Sequence, residues 1–113
     1  MPEPYRAPNV PQSRINPEFV RDELLRCFES ANREFAGLLK MPVTDEALKQ
    51  QVKTFVSTVF TQCGVNYASP TKQGIELAIA QCKNNAERMM GPQGSDIIGH
   101  HYAEMMKLVS RLP

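Results

Sequence analysis

Residues 97–106, IIGHHYAEMM, hold both histidines of this 113-residue chain and two of its six methionines. Thiolate, thioether and imidazole are the ligands a soft ion such as Cu(I) prefers. Metal or redox chemistry would therefore have to use these residues and the cysteines Cys27, Cys63 and Cys82. Adjacent side chains on a helix diverge by about 100°. His100 is thus turned away from Ile98, onto a strip Asp96–His100–Glu104 that reads as solvated surface. His101 falls beside the apolar stripe of Ile98, Tyr102 and Met105, half-buried at its flank. Two histidines on different faces do not easily serve one ion. If the helices run antiparallel, Cys27 and Cys82 come level with residues 103–104, and Cys27, Cys82, His101 and Met105 then share one core layer. That set is the candidate soft-metal or thiol-redox site. The favoured reading of the same layer is plain packing, with cysteine and methionine filling space and His101 tied through one ring nitrogen. No cofactor is expected.

Patterns for other chemistry are missing. Di-iron carboxylate bundles need Glu-x-x-His on two helices, and no glutamate stands three residues before either histidine. No G-x-x-x-x-G-K-[ST], G-x-S-x-G or H-E-x-x-H occurs, and no pair of carboxylates is spaced for Mg²⁺ in a helical nucleotide hydrolase. A non-enzymatic role is expected. The stretch CGVNYASPTKQGI resembles a helix-turn-helix junction that would present residues 69–76 to base edges, a small DNA-associated regulator being one alternative. Against it stands a net charge of +1, from 13 Lys plus Arg and 12 Asp plus Glu, which argues against nucleic acid or an anionic membrane surface as the main partner while leaving room for a local basic patch.

The elements that position these groups read as helices. Five of the nine prolines fall in the first 17 residues, so residues 1–15 read as a flexible, extended Pro-rich arm without packed structure of its own. Asn16-Pro17 is a cap followed by proline at the first helical position. Val20, Leu24, Phe28, Ala31, Phe35 and Leu38 then recur at helical spacing, with Asp22–Arg26 and Glu29–Arg33 at i, i+4 on the other face. Thr44-Asp45-Glu46 caps a second helix carrying Leu48, Val52, Phe55, Val59 and Cys63. Its centre, TFVSTVF, has strand propensity, but the adjacent pairs Phe55-Val56 and Val59-Phe60 break strict alternation, and helix is the assignment. Ser69-Pro70 opens a third, with Ile75, Ile79, Cys82, Ala86 and Met89 inward, closed by Gly91-Pro92. Ser95-Asp96 opens a fourth. The expectation is an all-α, antiparallel up-and-down four-helix bundle over residues 16–113, with helices near 17–40, 45–63, 70–90 and 96–112. An echo of C-x3-A-x-R at Cys27 and Cys82 hints at a duplicated hairpin.

No apolar run approaches the roughly 18 residues needed to span a bilayer, and MPEPYRAPNVPQSRIN lacks the apolar core of an export signal. A cytoplasmic protein with reduced thiols is expected. The stripes also carry apolar flanks, namely Leu25, Leu39, Val56, Phe60, Met90 and Met106, more than four helices need for a core. Such flanks mark a partner surface, and methionine suits adaptable ones. The chain is therefore expected to be a small, non-catalytic interaction or adaptor module that binds a protein partner or itself, most simply as a homodimer.

Overall fold

Local signals set the starts of the helices. The computed structural model describes residues 4–113 and contains, among them, helices and no strand. α1 spans Pro17–Leu38, and the Asn16 side chain accepts from the Phe19 amide at 2.8 Å, the cap expected of Asn before N1 proline. α2 spans Asp45–Gln62, capped by Thr44 accepting from the Ala47 amide at 3.1 Å, with Asp45 and Glu46 in its first turn against the positive helix end. The strand-like TFVSTVF is helical. Packing on α1 overrides propensity there. α3 spans Lys72–Val109 and is capped by Thr71, not Ser69, through the Gly74 amide at 3.0 Å.

The fold has three helices rather than a four-helix bundle. The expected third and fourth helices are the two arms of α3, which bends sharply at Gly91 (φ 75°, ψ −169°) and resumes at Pro92 with no loop between. Ser95, expected as a helix cap, lies within α3, and its hydroxyl donates to Glu87 at 2.7 Å. Nineteen residues of straight helix would separate positions 83 and 102 by about 28 Å. Instead the Lys83 ammonium lies 5.3 Å from the Tyr102 ring centroid, so the chain folds back on itself at Gly91. Proline at the start of the second arm costs nothing, because its missing N–H is one the helix would leave unpaired anyway.

α1 is the central element and packs against both α2 and α3. Val20, Leu24, Cys27, Phe28 and Ala31 enter one buried cluster with Val52, Val56 and Phe60 of α2 and Ile75, Ile79, Cys82, Ile98, Met105 and Leu108 of α3. The described molecule has a radius of gyration of 13.5 Å. Among the described residues no helix is long and apolar enough to cross a membrane.

The N-terminal segment is not free. Residues 1–3 lie outside the described residues, but Tyr5 and Ile15 are buried in the core cluster, and a 3-10 turn occupies Gln12–Arg14. The Tyr5 hydroxyl donates to Glu23 of α1 at 3.0 Å, and the Ala7 amide donates to Glu104 of α3 at 3.0 Å. Arg111 binds the Val10 carbonyl at 2.9 Å and also contacts Gln12. Where a flexible arm was expected, residues 4–15 form a strap joining α1 to the end of α3. Proline spacing reveals that such a segment is not helical; it says nothing about whether it packs.

The helix-surface charge pairs also rearrange. Arg26 reaches Glu23, Arg33 reaches Asp45 across to α2, and Asp22 pairs with Arg21, so neither expected i, i+4 pair forms.

Candidate functional site

Cys27, His101 and Met105 do meet. They line a small enclosed space of ≈10 Å³ together with Leu24, Phe28 and Ile98. His101 is only 2% exposed, deeper than the flank position expected, and His100 is exposed. The Nδ1 of His101 lies 2.8 Å from the Ile97 carbonyl, which can only accept, so Nδ1 carries the proton. Nε2 is left with no hydrogen-bond partner among the described residues, 3.5 Å from a Glu34 carboxylate oxygen. The Cys27 thiol points to the other end of the same residue and lies 3.5 Å from the His101 carbonyl. The thiol thus contacts the backbone of His101, while the free imidazole nitrogen has the Glu34 carboxylate as its neighbour. Cys82 does not line this space; Cys63 is the thiol close enough to act on it. Among the described residues no three His, Cys, Asp or Glu side chains cluster at metal-binding distance. The four-residue set thus divides into a Cys27–His101–Met105 layer and a separate Cys82–Cys63 neighbourhood.

Burial pushes both inner thiols up to about 12, with the Glu23 and Glu104 carboxylates adding to the effect at Cys27 and Cys63 adding at Cys82. A protonated thiol is a poor nucleophile and a poor ligand. Their protons also tie stability to pH. An unfolded chain releases them near 9, whereas the fold retains them to about 12, so their contribution is complete below pH 9 and is lost as pH rises toward 12. The urea midpoint is expected to hold steady to about pH 8.5 and fall above it, with a flatter fall in Cys82→Ala. Equal slopes in the two proteins would disprove the assignment to this thiol.

The expected apolar surface is redistributed. Val56 and Phe60 are fully buried, Phe60 stacking edge-on against Tyr67 at 5.3 Å, and they present nothing to a partner. Leu25 and Met90 are partly buried against the core, while Leu39 and Met106 are exposed. Met89 and Met90 exchange the places expected of them: Met89 is 75% exposed, and Met90 turns toward Gly94 under the bend. Phe35 and Leu38 extend the α1 stripe past the point where it has a partner, leaving Leu38 exposed beside Leu39, Met41 and Val43 of the α1–α2 connection.

Phe35 and Met89 line a groove of ≈370 Å³ between α1, α2 and the first arm of α3. Its apolar lining includes Phe28, Phe35, Val52, Phe55, Met89 and Met90, and the Phe28 and Phe55 rings, 5.7 Å apart, meet at a tilt within it. Asn32 and Gln51 are its polar lining residues. Leu38, Met41, Val43 and Met89 were not singled out as surface from the sequence. The available signal was that the α1 stripe runs on to Leu38, just before the Pro42 break, where α2 has not yet begun.

Residues 69–76 lack the geometry of a helix-turn-helix. Nine residues, 63–71, separate α2 from α3 where that motif uses a turn of three or four. Arg21 of α1 is also spent on the Tyr67 and Ala68 carbonyls of that connection, at 2.7 and 3.0 Å. Comparison with protein-family models, with curated proteins and with solved structures finds no match.

Proposed function

We propose that this chain is a non-catalytic protein-interaction module of the cytoplasm that associates with a second copy of itself through the Met89 groove. The observation that carries the reading is the groove with its uncovered apolar rim. Met89 is 75% exposed and lines a cleft that aromatic and aliphatic groups also line. Burying such a side chain is favourable by about 1.5–3 kcal/mol, and an isologous contact counts each residue twice. A second copy suits the site because a projecting Met89 stands on the rim of the very groove that could receive its twin. Charges near that end are of both signs, with Lys40, Asp45, Glu46, Lys49 and Arg88, so a two-fold arrangement can pair unlike charges instead of opposing like ones. The association entropy of about 4–15 kcal/mol offsets much of the gain, and a dissociation constant of roughly micromolar order is expected.

Sedimentation velocity over a range of roughly 1–500 μM tests this. The 12.7-kDa chain is expected to move toward twice its mass as concentration rises. Met89→Glu is expected to hold it monomeric, with Met106→Glu, on the other arm of α3, as the unaffected control. A monomer at every concentration would rule out self-association.

A further inference from the structure

A second concavity, polar rather than apolar, opens between the strap and α1. It has a volume of ≈340 Å³ and is lined by Tyr5 and Arg6 of the strap and by Arg26, Glu29, Ser30 and Arg33 of α1. Arg26, Ser30 and Arg33 stand at i, i+4 and i+7, the spacing that puts residues on one helix face. Tyr5, anchored by its 3.0 Å bond to Glu23, brings Arg6 over that face from a distant part of the chain.

The arginines around this hollow have few acceptors. A guanidinium carries five N–H donors. Arg26 has one contact of 3.5 Å to Glu23, and Arg33 one of 3.2 Å to Asp45. Arg6 and the Ser30 hydroxyl make no hydrogen bond or ion pair among the described residues. Three guanidinium groups and a hydroxyl thus border one space with most of their donors unspent. Arginine's planar fork matches the oxygens of a phosphoryl group bidentately, and such charge-assisted bonds are about twice as strong as neutral ones.

We propose that the hollow between residues 4–6 and α1 binds a single phosphoryl dianion through Arg6, Arg26 and Arg33, with Ser30 as an additional donor. The one carboxylate in the lining, Glu29, disfavours a polyanion, and three guanidinium groups suit one phosphoryl group. A chain of net charge +1 lacks the overall basic excess usual in nucleic-acid-binding proteins. Glu29 can accept from a donor beside the phosphoryl group, such as a backbone amide of a phosphorylated peptide. Free phosphate and a phosphorylated side chain share this chemistry.

Titration calorimetry on the full chain, with ionic strength held by sodium chloride, separates the two sources. The probes are inorganic phosphate, a short phosphoserine peptide and its unphosphorylated form. Saturable binding is expected with a dissociation constant of about 1 mM or tighter. Arg26→Gln and Arg33→Gln are each expected to weaken it by about tenfold, and Glu29→Gln to strengthen it about threefold by removing like-charge repulsion. The Arg26 side chain is 72% exposed, so Arg26→Gln leaves the fold intact, as circular dichroism will verify. A phosphopeptide more than about tenfold tighter than phosphate identifies a modified protein as the ligand, and equal affinities identify phosphate itself. The proposal is overturned if neither probe binds saturably, if the unphosphorylated peptide binds as well, or if Arg26→Gln and Glu29→Gln leave the affinity unchanged.

Discussion

Gly94→Ala is expected to be the most damaging single-methyl change in the chain, lowering stability by about 3 kcal/mol and the melting temperature by roughly 10 °C. Gly94 is buried just beyond the reversal, and a Cβ built on it would lie 2.0 Å from the Cβ of Met90. The obstacle is the first atom of the Met90 side chain, so no rotamer change removes it; the bend itself must open. Gly91→Ala damages by another route. Nothing lies within 4 Å of its Cβ position, but φ 75° with ψ −169° is a region essentially closed to residues with a side chain, and the strain is of order 1–3 kcal/mol. Gly99 has a free Cβ position and ordinary helical backbone, so Gly99→Ala is expected to stabilise by about 0.5–1 kcal/mol. Urea midpoints of the three variants check this. If Gly94→Ala melted like Gly99→Ala, the tight return of α3 at Gly91 would be incorrect.

These glycines show what was legible in the sequence. Asn16 and Thr44 were readable as caps because the bond they make spans three residues and depends on nothing distant. Gly91-Pro92 was readable as an interruption for the same reason. That helix resumes immediately, so that two expected helices become one bent element, depends on Met90 and Gly94 approaching each other, a contact no propensity encodes. Periodicity likewise found the faces of the helices but not the limits of their partners. It gave Phe35, Leu38 and Met89 to the core, although α1 outruns its neighbours at Leu38 and Met89 is left at the groove. A narrow stripe along α2 puts Val56 and Phe60 on its flank. The actual core of α2 is wider, with Val56, Val59 and Phe60 all buried.

The candidate sites follow the same division. Levelling residues across antiparallel helices brought Cys27, His101 and Met105 together correctly, since the axial position of a residue follows from counting. Counting does not fix rotation about the axis. Rotation is what turns the Cys27 thiol to the His101 carbonyl, leaves Nε2 facing Glu34, and sets Cys82 near Cys63. The arginine hollow was the least legible of all, because it needs Arg6 beside Arg26, and nothing short of the packed strap supplies that proximity.

Tyr5→Ala is therefore expected to cost about 3–5 kcal/mol, although it lies in the segment that composition alone marks as unstructured. The ring is 7% exposed and belongs to the core cluster. Its hydroxyl is the 3.0 Å partner of Glu23, a carboxylate only 5% exposed whose other contact, to Arg26, is 3.5 Å long. Tyr5→Phe keeps the ring and removes only the donor, leaving a buried carboxylate under-satisfied at a cost of about 1–3 kcal/mol. Because the phenol and the carboxylate act as a pair, Tyr5→Phe combined with Glu23→Gln should cost less than the sum of the single changes. Alkali should weaken the same contact. Burial first, then the Glu23 charge, hold the Tyr5 phenol well above the ordinary tyrosine range, so its stabilising effect is full below pH 10 and lost as pH rises beyond it. Denaturant titrations of the parent, Tyr5→Ala, Tyr5→Phe, Glu23→Gln and the double variant at about pH 7.5 and pH 10.5 measure all of this at once. A Tyr5→Ala midpoint equal to that of the parent would return residues 4–15 to the status of a free arm, and would also remove the wall that brings Arg6 to the hollow.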